Sequence, residues 1–346
     1  MSSLKKLDKL EYLKTIGIVN VGTNGVGFSN PYDIAFSSDD RAFVINRHDA
    51  PINFRPEDAT AIRVGILNYE EEYLGEFGYG FGEGEGQFRL PVSMDFDSKD
   101  RLYVTDELNN RITVFNSSGN YLFSWGTHGN KLGQIDGPAG ITIDNEDNVY
   151  ITDQNNHRVQ KFTYDGKFLL SWGSFGCGNG EFNMPWGICS DSQGDIYVAD
   201  WRNNRVQQFT NEGDFKSYYG DNAKGRINLN RPSSVAVDDS GNLYIADWGN
   251  HKVKTLNRDG DLISILDGEA TLSKWAKEWY GKLPDQLETR ENANLMPELP
   301  SQFSTPYQKS AQTEPYFWGP VSVKIDANKR LYVVESLRHR IQVFSI

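Results

Sequence analysis

Two cysteines, four methionines and a shortage of positive charge set the first limits on this 346-residue chain. Cys177 and Cys189 cannot build a disulfide framework or a thiolate zinc site, each of which needs several cysteines. With 35 Lys and Arg against 47 Asp and Glu the net charge is −12. That balance opposes sequence-independent binding to nucleic acid and to an anionic membrane, because both depend on basic side chains meeting phosphates. No apolar run approaches the roughly 18 residues of a membrane span, and Met1 to Leu10 is polar where a signal peptide would be apolar. The expectation is a soluble, non-exported, cytoplasmic protein with no membrane partner. Nucleophile motifs are also missing: there is no G-x-S-x-G, and neither cysteine has an activating setting. The glycine-rich run from Gly78 to Gly86 resembles a phosphate loop only in glycine count, since it lacks a Lys and its glutamates repel phosphate.

Glycine and aromatic residues are abundant instead, with 33 Gly, 8 Trp, 17 Tyr and 19 Phe. This mixture favours short strands and tight turns. Pro91, Pro138, Pro185 and Pro232 stand 47 residues apart, as do Tyr103, Tyr150, Tyr197 and Tyr244, and Asp106, Asp153, Asp200 and Asp247. Two looser copies flank them, Pro31 with Phe43 and Pro320 with Tyr332, giving six in all. Each copy reads as four short strands, as in Ile141–Asp144, Asn148–Asp153, Arg158–Phe162 and Phe168–Trp172, with turns at Asp100, Asp147, Gly194 and Gly241 that tolerate positive φ. A four-stranded unit of this length is the mark of a β-propeller blade.

The fold expected is therefore all-β, a six-bladed β-propeller, with blades at about 22–78, 88–126, 136–173, 183–220, 230–267 and 318–346. The sixth copy lacks an outer strand. Residues 10–17 supply it, because Glu11–Gly17 matches Asn120–Gly126, so that the N-terminal strand closes the ring.

Tyr103-Val104-Thr105-Asp106 with Asn109-Asn110-Arg111-Ile112, Asp153 with Asn155-Asn156-His157-Arg158-Val159, and Asp247 with Asn250-His251-Lys252-Val253 resemble the NHL repeat. Blades 1 and 6 depart from it, with Asn46 and Glu335 at the Asp position. The resemblance implies the propeller fold and leaves function open among protein binding, RNA binding and lyase activity. Lyases of this kind hold zinc on three histidines from different blades, but no His precedes a blade proline here, where Asn30, Leu90, Gly137, Met184, Arg231 and Gly319 stand. No metal or other cofactor is expected from the side chains. A calcium ion held by backbone carbonyls in the central channel stays open as an implication of the resemblance.

The loops from strand two to three and from strand four to the next blade share one face, here called the top. Both insertions, 47–62 and 268–316, fall on it, and long loops in a compact repeat usually carry function. Leu272, Trp275, Ala276 and Trp279 have helical spacing, ended by Gly281 and Pro284. The expectation is one helix capping the channel mouth, followed by irregular chain; packing on the outer rim is the alternative.

The Asp column repeats, which argues for a structural role accepting backbone N–H groups. Arg111, Arg158, Arg205 and Arg340 and the histidines His157, His251 and His339 are read as architectural for the same reason, leaving His48 and His128 outside the pattern. Candidate ligand-binding residues on the top face are Arg47, Tyr32, Trp186, Trp201, Trp248, Arg231 and Trp318. Candidate catalytic residues are His48, Glu107 and Asp33 for acid–base work, with Arg202 holding an anionic group. The leading expectation is a capped top-face site for a small, anionic molecule with lyase or hydrolase chemistry. The rival is a protein–protein interaction scaffold using the same face, with RNA binding below both.

Overall fold

The computed structural model describes residues 10–20, 25–47, 61–220, 227–269 and 271–346. The 47-residue period becomes a ring of six four-stranded antiparallel sheets. Blade 1 comprises β2 (Pro31–Phe36), β3 (Ala42–Asn46), β4 (Arg63–Leu67) and β5 (Tyr73–Phe77), and blade 2 β6 (Pro91–Phe96), β7 (Arg101–Asp106), β8 (Arg111–Asn116) and β9 (Tyr121–Trp125). Blade 3 holds β10 (Pro138–Ile143), β11 (Val149–Asp153), β12 (Arg158–Phe162) and β13 (Phe168–Trp172); blade 4 holds β14 (Pro185–Ser190), β15 (Ile196–Asp200), β16 (Arg205–Phe209) and β17 (Phe215–Gly220). In blade 5 they are β18 (Pro232–Val237), β19 (Leu243–Asp247), β20 (Lys252–Leu256) and β21 (Leu262–Leu266). Blade 6 takes β22 (Pro320–Ile325), β23 (Arg330–Glu335) and β24 (Arg340–Ser345) from one end of the chain and β1 (Glu11–Ile16) from the other, with Glu11 opposite Ser345 and Ile16 opposite Ile341. The N-terminal strand thus covers an edge that would otherwise be open.

The apolar alternation of these strands packs into six clusters, one at each blade junction, as with Phe43, Phe77, Phe88 and Phe115 between blades 1 and 2. Each buried Phe contributes roughly 1.5–3 kcal/mol by leaving water. The tyrosine column works at the bottom face: the hydroxyls of Tyr103, Tyr150, Tyr197 and Tyr244 donate to Asp97, Asp144, Asp191 and Asp238 at 3.0 to 3.2 Å. These carboxylates also cap the turn between strands one and two.

Adjacent blades are tied at the top by a recurrent latch. Asn110, His157, Asn204, His251 and His339 all have φ between 50° and 55°, and each accepts from a backbone N–H at the start of the next blade. The donors are Gly137 at 2.8 Å, Met184 at 3.1 Å, Arg231 at 2.8 Å, Gly319 at 3.0 Å and Asn30 at 2.9 Å. Left-handed backbone costs Asn and His less than most residues. Deeper in the channel the inner strands meet backbone to backbone: a Cβ on Gly140 would stand 2.4 Å from the Trp186 carbonyl oxygen. Only glycine permits that approach, which fixes the height of Trp186.

Within 268–316 lie α1 (Lys274–Tyr280), α2 (Pro284–Glu291) and α3 (Pro306–Gln312), where the sequence suggested one helix and then irregular chain. Pro284 begins α2 rather than merely ending α1, since a missing N–H costs nothing in a first turn. The helix α1 does not cover the channel mouth. It packs on the rim between blades 6 and 1, where Trp275 enters an apolar cluster with Ile16 and Phe28 and its Nε1–H donates to the Glu71 carbonyl at 2.6 Å. That groove offers the indole both burial and an acceptor, which outweighs capping an opening. Trp279 stays 56% exposed. The element that reaches the top face is α3, over blades 5 and 6.

Candidate functional site

Most of the polar groups at the top of each blade hold the scaffold. Asp200 accepts from Asn183 N, Asn203 Nδ2 and Arg205 Nε, each at 2.8 Å, and Asp153 repeats the pattern with Asp136 N at 2.7 Å and Arg158 Nε at 2.8 Å. Burial pushes the carboxyls of Asp106, Asp153, Asp200 and Asp247 upward, opposed by these bonds. The column arginines turn back on the preceding connector: Arg205 donates to the carbonyls of Cys177, Gly178 and Glu181 at 2.7 to 2.9 Å. Asn46 and Glu335 fill the column in blades 1 and 6, accepting from Ser29 N and Trp318 N, both at 2.9 Å.

The residue after each Asp is presented upward. In blades 3, 4 and 5 it opens a single 3-10 turn (Gln154–Asn156, Trp201–Asn203 and Trp248–Asn250). Gln154 is buried, with its Oε1 lacking a partner, whereas Trp201 and Trp248 are half-buried. Their rings form part of a continuous run. Trp186 lies 6.3 Å from Trp201, Trp201 6.4 Å from Trp248, and Trp248 6.4 Å from His251. The run continues through Tyr307 of α3, 5.7 Å from His251 and 5.6 Å from Trp318.

Three guanidiniums lie over this run. Arg231 and Arg202 stand 5.0 and 5.6 Å from the Trp201 ring, and Arg338 stands 5.7 Å from Trp318. Both Arg202 and Arg231 are exposed. The latch to Asn204 sets the backbone of Arg231, and so where its side chain emerges. Trp186, Trp201, Trp248, Arg202, Arg231 and Trp318 are therefore neighbours across blades 4 to 6. Sequence reasoning missed Tyr307 and Arg338. Thr305-Pro306-Tyr307-Gln308 was the available signal, a capping box whose Thr305 and Gln308 side chains bond each other's backbone N–H.

On the opposite side Arg47 and Glu107 form an ion pair at 2.8 Å, and the Arg47 guanidinium sits 4.6 Å from the Tyr32 ring. This joins blades 1 and 2. His48 lies outside the described residues, as does most of the 47–62 insertion. Asp33 is not on the rim: two residues down the innermost strand, it is 2% exposed in the channel wall. Its carboxylate accepts from Ser322 Oγ at 2.5 Å, Ser93 Oγ at 2.6 Å and Met94 N at 2.8 Å, tying blade 1 to blades 6 and 2. Lys324 faces it at 3.9 Å. Burial alone would lower the Lys324 ammonium, but Asp33 and Asp95 outweigh it and hold it above its ordinary value. Cys189, also in the channel, has its thiol pushed up to about 12 by burial and is no nucleophile. Among the described residues no group of three or more His, Cys, Asp or Glu side chains is placed to hold a metal ion, and no helix is long and apolar enough to cross a membrane.

The geometry defines a six-bladed propeller with an aromatic and arginine-rich top face. Three segments, 136–162, 182–209 and 229–256, match the family model of the NHL repeat, so blades 3, 4 and 5 of this six-bladed β-propeller carry NHL repeats. Among solved structures it is similar to a streptogramin B lyase, with 14% identity over 97% of this chain and 98% of that one and a TM-score of 0.56. The virginiamycin B lyase from Staphylococcus aureus gives 12% identity over 98% and 99%, with a TM-score of 0.55. A nidogen/laminin complex gives 16% over 70% and 82%, with a TM-score of 0.52. At these identities the likeness is one of fold. No curated protein matches the chain in sequence.

Proposed function

We propose that this propeller is a binding platform whose top face docks an extended acidic segment of a partner protein. The observation that carries the reading is the run of rings from Trp186 through Trp201, Trp248 and Tyr307 to Trp318, spanning three blades under the guanidiniums of Arg202, Arg231 and Arg338. Half-exposed Trp, Tyr and Arg are the side chains that dominate binding energy at protein interfaces, and the exposed Arg202 and Arg231 give a positive rim on a chain of net charge −12, whereas Arg338 is committed to the carbonyls of Ser310, Thr313 and Tyr316. A nidogen/laminin complex among the similar structures is likewise an assembly between proteins.

A lyase or hydrolase acting on a small anion has less support. Glu107 is paired with Arg47, Asp33 is consumed in the channel wall, and the two lyases share only the fold. The channel cation facing Asp33 is Lys324. RNA would stack on the same rings, but the net charge opposes it.

Selection of phage-displayed random peptides on the immobilised protein tests the proposal. Acidic peptides carrying an aromatic or proline residue are expected, and their affinity should fall by about 2 kcal/mol in Trp201→Ala and in Trp248→Ala with the far-UV spectrum unchanged. Peptides that bind both variants as tightly as the parent, or single-stranded RNA that outcompetes them, would overturn it.

A further inference from the structure

A groove between the two-to-three loop and the outer strand is present in blades 4 and 5. In blade 4 it is a space of about 390 Å³ bordered by Asn203, Arg205 and Tyr218. Blade 5 departs from the repeat at two positions there. Lys252 stands where Arg111, Arg158, Arg205 and Arg340 stand elsewhere, and Lys254 replaces Gln160, Gln207 and Gln342. Lys254 takes over the buried pairing, with Asp247 at 2.7 Å and the Asn228 carbonyl at 2.6 Å. Lys252 is thereby released to the surface, where it pairs with Asp267.

The insertion then closes the groove on a third side. Pro306 and Tyr316, together with Ile265 of β21, give a cleft of about 450 Å³ its apolar walls, and Lys309 of α3 adds a third ammonium. Of the lining ammoniums Lys254 is already paired with Asp247 and Lys252 with Asp267, so the positive excess comes from Lys309. His251 also borders it; because its Nδ1 accepts from Gly319 N, its Nε2 carries the proton and is a donor. The Lys252–Asp267 pair is 38% and 51% exposed, so it is weak and Lys252 can be shared with an incoming anion.

We propose that this cleft is a second binding site, for a small molecule with one carboxylate on an apolar body. Its volume lies within the roughly 300–1,000 Å³ of ligand sites, and apolar walls with a few convergent polar groups are their usual lining. The site adjoins the top-face docking surface through His251 and α3 but includes none of the tryptophans or arginines of that surface.

Isothermal titration with 2-naphthoate tests it, with 2-naphthalenemethanol as the uncharged control. Saturable one-to-one binding is expected for the acid, and binding at least about tenfold weaker for the alcohol. Lys309→Glu should weaken the acid about tenfold, and Ile265→Trp, which fills the cleft from an exposed strand position, should abolish binding. Trp201→Ala should leave it unchanged. Thermal midpoints near the parent's would show that both cleft variants fold. Absence of saturable binding, survival of binding in both cleft variants, or its loss in Trp201→Ala would each overturn the proposal.

Discussion

Nδ1 of His251 accepts the backbone N–H of Gly319 at 3.0 Å, joining blade 5 to blade 6 across the break in the repeat made by residues 268–316. A histidine can accept at Nδ1 only while that nitrogen is unprotonated, and burial holds the His251 pKa down to about 4. In the unfolded chain it titrates near 6.5, so between about pH 6.5 and 4 the unfolded state binds more protons. The latch stabilises fully above pH 6.5 and is lost as pH falls toward 4, a difference of about 2–3 kcal/mol. His251→Asn, which borrows the acceptor used at Asn110 and Asn204, should retain the latch and flatten that part of the acid limb in denaturant titrations from pH 7 to 4. An unchanged acid limb would show that the latch does not set it.

Trp275 and Trp279 have the same spacing signal and opposite fates, so their truncations should separate. Trp275→Ala removes a buried indole from the cluster with Phe28 and leaves the Glu71 carbonyl without its donor; a loss of about 3–5 kcal/mol is expected. Trp279→Ala should change stability by no more than about 0.5 kcal/mol. Equal effects in urea melts would contradict the rim position of α1.

Asp33 and Lys324 should behave as a coupled pair. Asp33→Ala leaves the Lys324 ammonium facing fewer carboxylates and three donors from blades 2 and 6 unanswered, at a cost of about 3–5 kcal/mol. Lys324→Met in that background should recover part of the loss, giving a coupling of at least about 1 kcal/mol in a double-mutant cycle. Additive losses would mean that the two charges do not sense each other.

These contrasts also show what the sequence could carry. The Pro, Tyr and Asp columns were legible because each makes one local bond that every blade repeats, such as Tyr150 to Asp144 or Asp153 to the Asp136 N–H. Ring closure was legible because Glu11–Gly17 copies an outer strand. Single-copy features were not. Nothing near Trp275 announces that its partners are Phe28 and Glu71, some 200 residues away, and Asp33 looked like a rim residue because its partners Ser93, Ser322 and Lys324 belong to other blades. The tryptophans at 186, 201, 248 and 318 stand out in the sequence by their positions, and the structure brings them into one run of rings. Tyr307, which links the run, comes from an insertion with no counterpart in the repeat.

Asp200 and Trp201 are adjacent in sequence, yet one belongs to the scaffold and the other to the proposed docking surface. Asp200 is fully buried and accepts from Asn183, Asn203 and Arg205, so Asp200→Ala strands the Arg205 guanidinium and should cost about 3–5 kcal/mol. Trp201 is half-buried, between the rings of Trp186 and Trp248 and with two arginines over it. Trp201→Ala should therefore cost only about 1–2 kcal/mol of stability while removing most of the affinity for a selected acidic peptide. Thermal melts and peptide titrations on the two variants make a crossed pair. If Asp200→Ala also abolished peptide binding while remaining as stable as the parent, the column would belong to the site, and the separation of scaffold from surface drawn from its hydrogen bonds would be wrong.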